Sequence, residues 1–271
     1  MRRTLLALAA FAPLVCAAED VRLWHSLDSA MAVQLQRLAA EYNAAQREFR
    51  VQLAPLPAGG EKTLVRLGLP INAARPVLYY NRDAFRRAQL TTVPKTWYEM
   101  AGVLGRLSES GQACAYTTSW PAWVMMENTG GEFSRQVVVR WTSMLATWEK
   151  SGYFSYSGRA NEGEARLAAG ECAVLTSSSA SRTELAKKAA FEVGVAPLPY
   201  YDDTGVMARG LPPAGAAVWA QRQSVGVTNF FAFLATRAAE ARRVRDAMEA
   251  ELEAVWRGDK TALDALNAVP K

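Results

Sequence analysis

The chain has 271 residues, of which 50% are hydrophobic and 21% charged. That is enough for one large domain or two lobes with their own cores. The formal charge of +5 is spread without a basic tract, so nucleic acid is not an expected partner.

Arg2 and Arg3 precede an apolar run from Leu5 to Val15, followed by the small residues Cys16, Ala17 and Ala18 and the acidic pair Glu19 and Asp20. This is the pattern of a secretory signal peptide over residues 1–18, with cleavage expected after Ala18 and a periplasmic destination. The run is too short to span a bilayer. Pro13 stands where a lipobox would carry leucine, so Cys16 is not read as a lipid anchor. Loss of the leader removes two arginines and no acid, which lowers the charge from +5 to +3. The cysteines that remain, Cys114 and Cys172, either pair in an oxidising compartment or stay as two separate buried thiols.

Val21 to Trp24 reads as a first strand. Met31, Leu35, Leu38 and Tyr42 recur at helical spacing and predict the helix that follows. Phe49, Val51 and Leu53 alternate as in a second strand, and the proline- and glycine-rich "APLPAGGEKT" reads as a loop. From Leu53 to Pro76 there is little pattern beyond Lys62 to Leu69, where a simple parallel sheet would want a full helix and strand. "PVLYYN" (residues 76–81) is β-rich. Thr96 and Glu99 have capping-box spacing for a helix through Leu107. Val137, Trp141, Leu145 and Trp148 mark another helix. "FEVGVAPLP" and "AAVWA" are predicted strands. Val227, Phe230, Phe231 and Leu234 face one side of a helix, and Val244, Met248, Leu252 and Val255 one side of the next. Strands alternating with helices give an α/β architecture.

The residues offer little for catalysis. His25 is the only histidine. It lacks a nucleophile elbow and a third partner, and reads better as a structural or ligand-lining group. One histidine and two distant cysteines match no zinc spacing. There is no phosphate-binding P-loop and no dinucleotide fingerprint. Glu249, Glu251 and Glu253 lie in a helical pattern and read as a solvated face. No catalytic residue, metal or cofactor is expected.

Two features suit ligand capture instead. In "SWPAW", Trp120 and Trp123 flank a proline break. They either pack in the core or form a stacking platform whose indoles suit the C–H faces of a polyol. In "AVLTSSSAS" an apolar run meets four hydroxyls, Thr176 to Ser179, ahead of a helix starting near Ser181. Ser181 and Glu184 have the spacing of a capping box, and the helix start favours an anion.

The stretches "WHS" (24–26), "PVLYYNRDAFRRA" (76–88), "PKTWYEM" (94–100), "YFSYSGR" (153–159), "GECAVLTSSSAS" (170–181) and "ELEAVWRGDKTALDAL" (251–266) occur in order along the chain. Together they resemble the glycerol-phosphate branch of the extracellular solute-binding proteins of ABC importers, with internal deletions. The resemblance implies a two-lobe periplasmic binding protein fold of type II with a reduced first lobe. Residues 19–80 and 196–240 would form the first lobe, and 81–195 and 241–271 the second. The chain would cross near Val77 to Asn81 and again near Val195 to Pro199. Closure of the lobes on ligand would present the protein, a monomer, to the permease subunits. The implied ligand is sn-glycerol 3-phosphate or a related glycerophosphodiester.

Carried over residue by residue, the family's ligand set falls on Trp120 and Trp123, on Ser178 in the hydroxyl cluster, on Gly215, and on Arg245. The guanidinium of Arg245 is the implied phosphate partner, since its planar fork binds two oxygens at once. Four other family anchors are missing. A tyrosine gives way to the Gly59–Gly60 region. A glutamate-bearing helix and strand shrink to Leu64 to Gly68. A serine becomes Ala73 or Ala74, with Arg75 beside them as a possible replacement charge. A second tyrosine is lost between Ala239 and Arg242. At about 1 kcal/mol each, four lost anchors cost about 4 kcal/mol, roughly a thousandfold in affinity. The alternatives are a shortened derivative that binds nothing strongly, and an esterase or phosphodiesterase built on His25 and the serines.

Overall fold

The computed structural model describes residues 18–69, 74–128, 134–204, 211 and 217–269. Most of the expected leader and the predicted ligand residue Gly215 therefore lie outside the described residues. The elements begin with β1 (Glu19–His25), α1 (Ser29–Ala45), β2 (Phe49–Pro55), β3 (Val65–Leu67), β4 (Pro76–Asn81), α2 (Arg82–Arg87) and α3 (Trp97–Glu109). They continue with β5 (Cys114–Thr118), α4 (Pro121–Glu127), α5 (Arg135–Lys150), α6 (Glu162–Ala168), β6 (Cys172–Ser178) and α7 (Arg182–Lys188). The last are β7 (Val193–Pro197), β8 (Val218–Ala220), α8 (Val225–Trp256) and α9 (Ala262–Ala268). The chain divides into two compact units, residues 1–69 with 215–234, and residues 70–214 with 235–271.

The first unit is built on a sheet of order β2-β1-β8-β3. β1 and β2 run parallel through the α1 crossover, and β8 is antiparallel to both β1 and β3. Asp28 starts α1 by accepting the Met31 N–H at 3.1 Å. The predicted apolar face, Met31, Leu35, Leu38 and Tyr42, is buried. β2 is an edge strand, and α1 shields it. The Asn43 amide exchanges two hydrogen bonds with the Val51 backbone, at 2.8 and 2.9 Å, which occupies groups that would otherwise invite another strand. The stretch without sequence pattern holds a 3₁₀ turn at Gly60–Lys62 and the three-residue β3. The start of α8 presses so closely on this sheet that a Cβ on Gly226 would fall 2.5 Å from Val21 Cγ2 and 2.6 Å from Phe49 Cδ1. One turn on, Phe230 packs edge-on to Tyr42 with ring centres 5.3 Å apart.

The second unit contains a sheet of order β5-β6-β4-β7. β5 and β6 are parallel, and β4 is antiparallel to both β6 and β7. A disulfide joins Cys114 to Cys172, directly opposed residues at the start of β5 and β6, which settles the alternative left open by the sequence. The core is aromatic. Trp97, Tyr116, Trp141, Trp148, Phe154 and Trp256 are buried in one cluster. Neighbouring rings lie 5.4 to 6.5 Å apart, the tilted and edge-to-face spacing that ring quadrupoles favour. The Thr96–Glu99 capping box forms as the spacing predicts.

Two details differ from the sequence reading. β4 and β7 hydrogen-bond to each other, and β4 also to β6, so residues 76–81 and 193–197 belong to the second unit. The unit boundaries fall at 69/70, 214/215 and 234/235, not at 80/81, 195/196 and 240/241. The two helices expected after β8 are one, α8, of 32 residues. The intervening "ATRAAEARR" has no glycine or proline and consists mostly of strong helix formers, so nothing interrupts the helix.

Candidate functional site

The site lies in the second unit, at the carboxyl ends of β5 and β6. The Ser119 N–H donates to the Thr176 carbonyl at 2.9 Å and holds the two strand ends together. The chain then reverses at Trp120, which adopts the left-handed conformation at φ 54° and ψ 52°. For a bulky side chain this costs on the order of 1–3 kcal/mol. Pro121 follows at the first position of α4, where its fixed φ suits a helix start and its missing N–H costs nothing. The turn is pinned from both sides. The Trp120 N–H donates to the Ala160 carbonyl at 2.9 Å. At the far end of α4, Asn128 accepts the Trp97 indole N–H at 2.6 Å and donates to the Val124 carbonyl at 2.9 Å. Trp120 and Trp123 are thereby held half-buried while Ala122, Val124 and Met125 take the core positions of α4.

α8 places two functional groups against this turn. The Arg245 guanidinium carbon sits 5.5 Å from the Trp120 ring centre, a cation–π contact. Its Nε is buried without a hydrogen-bond partner, and Asp246 lies 3.5 Å from its Nη2. Four residues on, Glu249 accepts the Ala122 N–H on Oε1 at 3.0 Å, while Oε2 is buried without a partner. Glu249 is only 4% exposed. Burial pushes its carboxyl up to about 8, against the opposing pull of the Ala122 N–H, Arg245 and Arg159, so at neutral pH it is largely protonated. Beside it Arg159 Nε donates to Glu253 at 2.6 Å. Burial, with the Glu253 and Glu249 carboxylates, pushes the Tyr156 hydroxyl up to about 12.

The predicted solvated face of acids is thus corrected at Glu249. It shares a helix face with Met248 and Leu252, both buried, and the apolar periodicity around it is the signal that could have singled it out. Glu251 and Glu253 are partly exposed and pair with Lys260 and Arg159.

The hydroxyl cluster divides into parts with different tasks. Thr176 and Ser177 are buried inside β6. Thr176 Oγ1 bonds to the Tyr116 hydroxyl and to Thr118 Oγ1, each at 2.8 Å. Ser177 and Ser181 both donate to Glu164 Oε1 at 2.7 Å. The predicted Ser181–Glu184 capping box does not form, because the facing Glu164 carboxylate takes the Ser181 hydroxyl and Glu184 pairs with Lys187. Ser178 ends β6, and its hydroxyl accepts the Ala180 N–H at 3.2 Å. Arg75, 8% exposed, lies alongside. Its N–H donates to Ser179 Oγ at 3.2 Å and its carbonyl accepts the Ser179 N–H at 2.8 Å.

Of the predicted ligand residues, the structure brings Trp120 and Arg245 into contact and sets Trp123 on the same helix turn. Ser178 has its described partners in Ala180 and Tyr79. His25 belongs to the first unit, where its Nδ1 accepts the Leu27 N–H at 3.3 Å and burial lowers its pKa. That is the bonding of a neutral structural ring. Among the described residues no group of His, Cys, Asp and Glu is placed to hold a metal, and no helix is long and apolar enough to cross a membrane.

The chain forms two α/β units, the second carrying a half-buried tryptophan with an arginine over its ring. The sequence model of the bacterial extracellular solute-binding proteins matches residues 20–241, and the chain belongs to that family, one of binding proteins rather than enzymes. The sn-glycerol-3-phosphate-binding periplasmic protein UgpB of Escherichia coli (strain K12) is 32% identical over 214 residues, which cover 68% of this chain and 49% of the relative. UgpB of Yersinia enterocolitica is 32% identical over 200 residues, covering 64% and 46%. The chain spans about half the length of the curated relatives it matches. Among solved structures, the GacH receptor of Streptomyces glaucescens superposes with a TM-score of 0.53 at 13% identity, covering 93% of this chain and 96% of that one. UgpB from Mycobacterium tuberculosis, in complex with glycerophosphocholine, superposes at 0.51 and 14% identity, with the same coverage. These likenesses establish the type II periplasmic binding protein fold.

Proposed function

We propose that this protein is the periplasmic solute-binding component of an ABC importer, and that it captures sn-glycerol 3-phosphate or a related glycerophosphodiester as a monomer for delivery to the permease subunits. The observation that carries this reading is the Arg245 guanidinium over the Trp120 ring with its Nε buried and unpartnered. A cation presented on an aromatic face, with a second tryptophan on the same helix turn, suits a ligand with an anionic head and an apolar-faced polyol. Trp120 and Trp123 pack on the glycerol part, Arg245 holds the phosphate oxygens, and Ser178 adds a hydroxyl. The relatives' printed name, sn-glycerol-3-phosphate-binding, supports the same ligand class.

The missing anchors predict weak binding, about a thousandfold below a relative that keeps them. Arg75, buried beside the hydroxyls that follow Ser178, offsets part of that loss. Titration of sn-glycerol 3-phosphate against tryptophan emission tests the reading. A saturable change that disappears in Arg245→Ala supports it, and no change up to 10 mM on folded protein refutes it.

A second reading rests on the missing anchors: a shortened derivative that keeps the fold and binds nothing strongly. A ligand that binds only the folded state raises Tm, so a melting curve indifferent to ligand favours this second reading.

A further inference from the structure

We infer that Glu249 is a positioning residue of this anion site: held on the turn that carries Trp120, its carboxyl controls whether the Arg245 charge is open to an anionic ligand. The inference rests on the ligand reading above and goes beyond it. Arg245 and Glu249 are one helical turn apart on α8, and both grip the same three-residue turn. Arg245 stacks on Trp120, while Glu249 accepts the N–H of Ala122. Each also keeps one buried polar atom without a partner, Nε in Arg245 and Oε2 in Glu249. Residues four apart on a helix lie one above the other and interact.

The charge state of Glu249 therefore matters to Arg245. A protonated carboxyl is neutral and still accepts the Ala122 N–H, so the guanidinium faces the ligand as a full cation. An ionised carboxylate would draw the guanidinium toward itself and compete with the ligand phosphate for it. The groups facing Glu249 are Arg245, Asp246 and Glu253 on α8, Arg159 and Tyr156 on the segment between α5 and α6, and the Ala122 N–H of α4. Burial outweighs the two arginines and favours the neutral form.

The test is a calorimetric titration of glycerophosphocholine at pH 6.5, 7.5, 8.5 and 9.5. Its phosphodiester keeps a single negative charge over that range. The wild type is expected to lose about tenfold in affinity from the lowest to the highest pH, a typical size for coupling between two sites. Glu249→Gln keeps an acceptor for the Ala122 N–H but cannot ionise, and is expected to hold one affinity across the range. Equal pH profiles in the two proteins overturn the inference, as does a Glu249→Gln affinity that is pH-dependent in the wild-type manner. A ligand-free readout separates this inference from the ligand reading. Tryptophan emission of the wild type is expected to step near pH 8 as Arg245 shifts over Trp120, and Glu249→Gln to show no step. The step without any glycerophosphocholine binding refutes the ligand reading and upholds the coupling. Matching emission profiles refute the coupling.

Discussion

Replacing Glu249 by glutamine should change how stability depends on pH, whether or not ligand binds. In the unfolded chain this carboxyl titrates at its ordinary 4.5, and in the folded protein burial lifts it to about 8. Between those values the folded state holds a proton that the unfolded state has released, so stability falls as pH rises. Below 4.5 both states are protonated, and above about 8 both are ionised, so the loss is confined to that window. A tenfold change in proton affinity is worth about 1.4 kcal/mol, which sets the loss at up to roughly 5 kcal/mol across the window. Glutamine keeps an acceptor for the Ala122 N–H and carries no charge to bury. Urea unfolding of both proteins at pH 5, 6.5, 8 and 9 measures the difference, since every other titrating group is shared. The variant should gain on the wild type as pH rises, reaching at least about 2 kcal/mol by pH 9. Stability curves that stay parallel from pH 5 to 9 would refute the assignment of a buried neutral carboxyl.

Three further outcomes follow from the packing. Replacing both Cys114 and Cys172 by serine opens a 58-residue separation and should cost about 4 kcal/mol in the chain-entropy account, read as a lower urea midpoint and matched by reduction of the wild type. Gly226→Val forces a Cβ into Val21 and Phe49 and should destabilise the first unit by about 1–3 kcal/mol, seen as early hydrogen exchange in α1 and β2. Trp120→Asn puts a residue tolerant of left-handed geometry where the chain demands it. It should leave Tm near or above the wild-type value while weakening glycerol-phosphate binding at least tenfold in a fluorescence titration.

Much of the fold was legible because its signals are local. The spacing of Met31, Leu35, Leu38 and Tyr42, the Thr96–Glu99 box and the run "PVLYYN" each specify an element within a few residues. Trp120 stood out locally in "SWPAW", but Arg245 and its pairing with Trp120 were legible only through the family resemblance, since 125 residues separate the two and no local pattern joins them. What escaped was decided at a distance. The Cys114–Cys172 bridge depends on β5 pairing in register with β6. Ser181 is taken by Glu164 from another helix, which no capping pattern encodes. Glu249 looked like one acid among several on α8, and only its packing against α4 turns it into a buried group. The short β3 has too few residues to show a period, and its place is fixed by β8.

The central claim is that this chain captures a glycerol-phosphate ester through Arg245 and the paired tryptophans. Calorimetric titration of sn-glycerol 3-phosphate into the purified, folded protein tests it most directly. The account predicts saturable 1:1 binding in the micromolar to millimolar range that Arg245→Ala abolishes. Heats no larger than dilution up to 10 mM ligand, on protein that melts cooperatively, would contradict it.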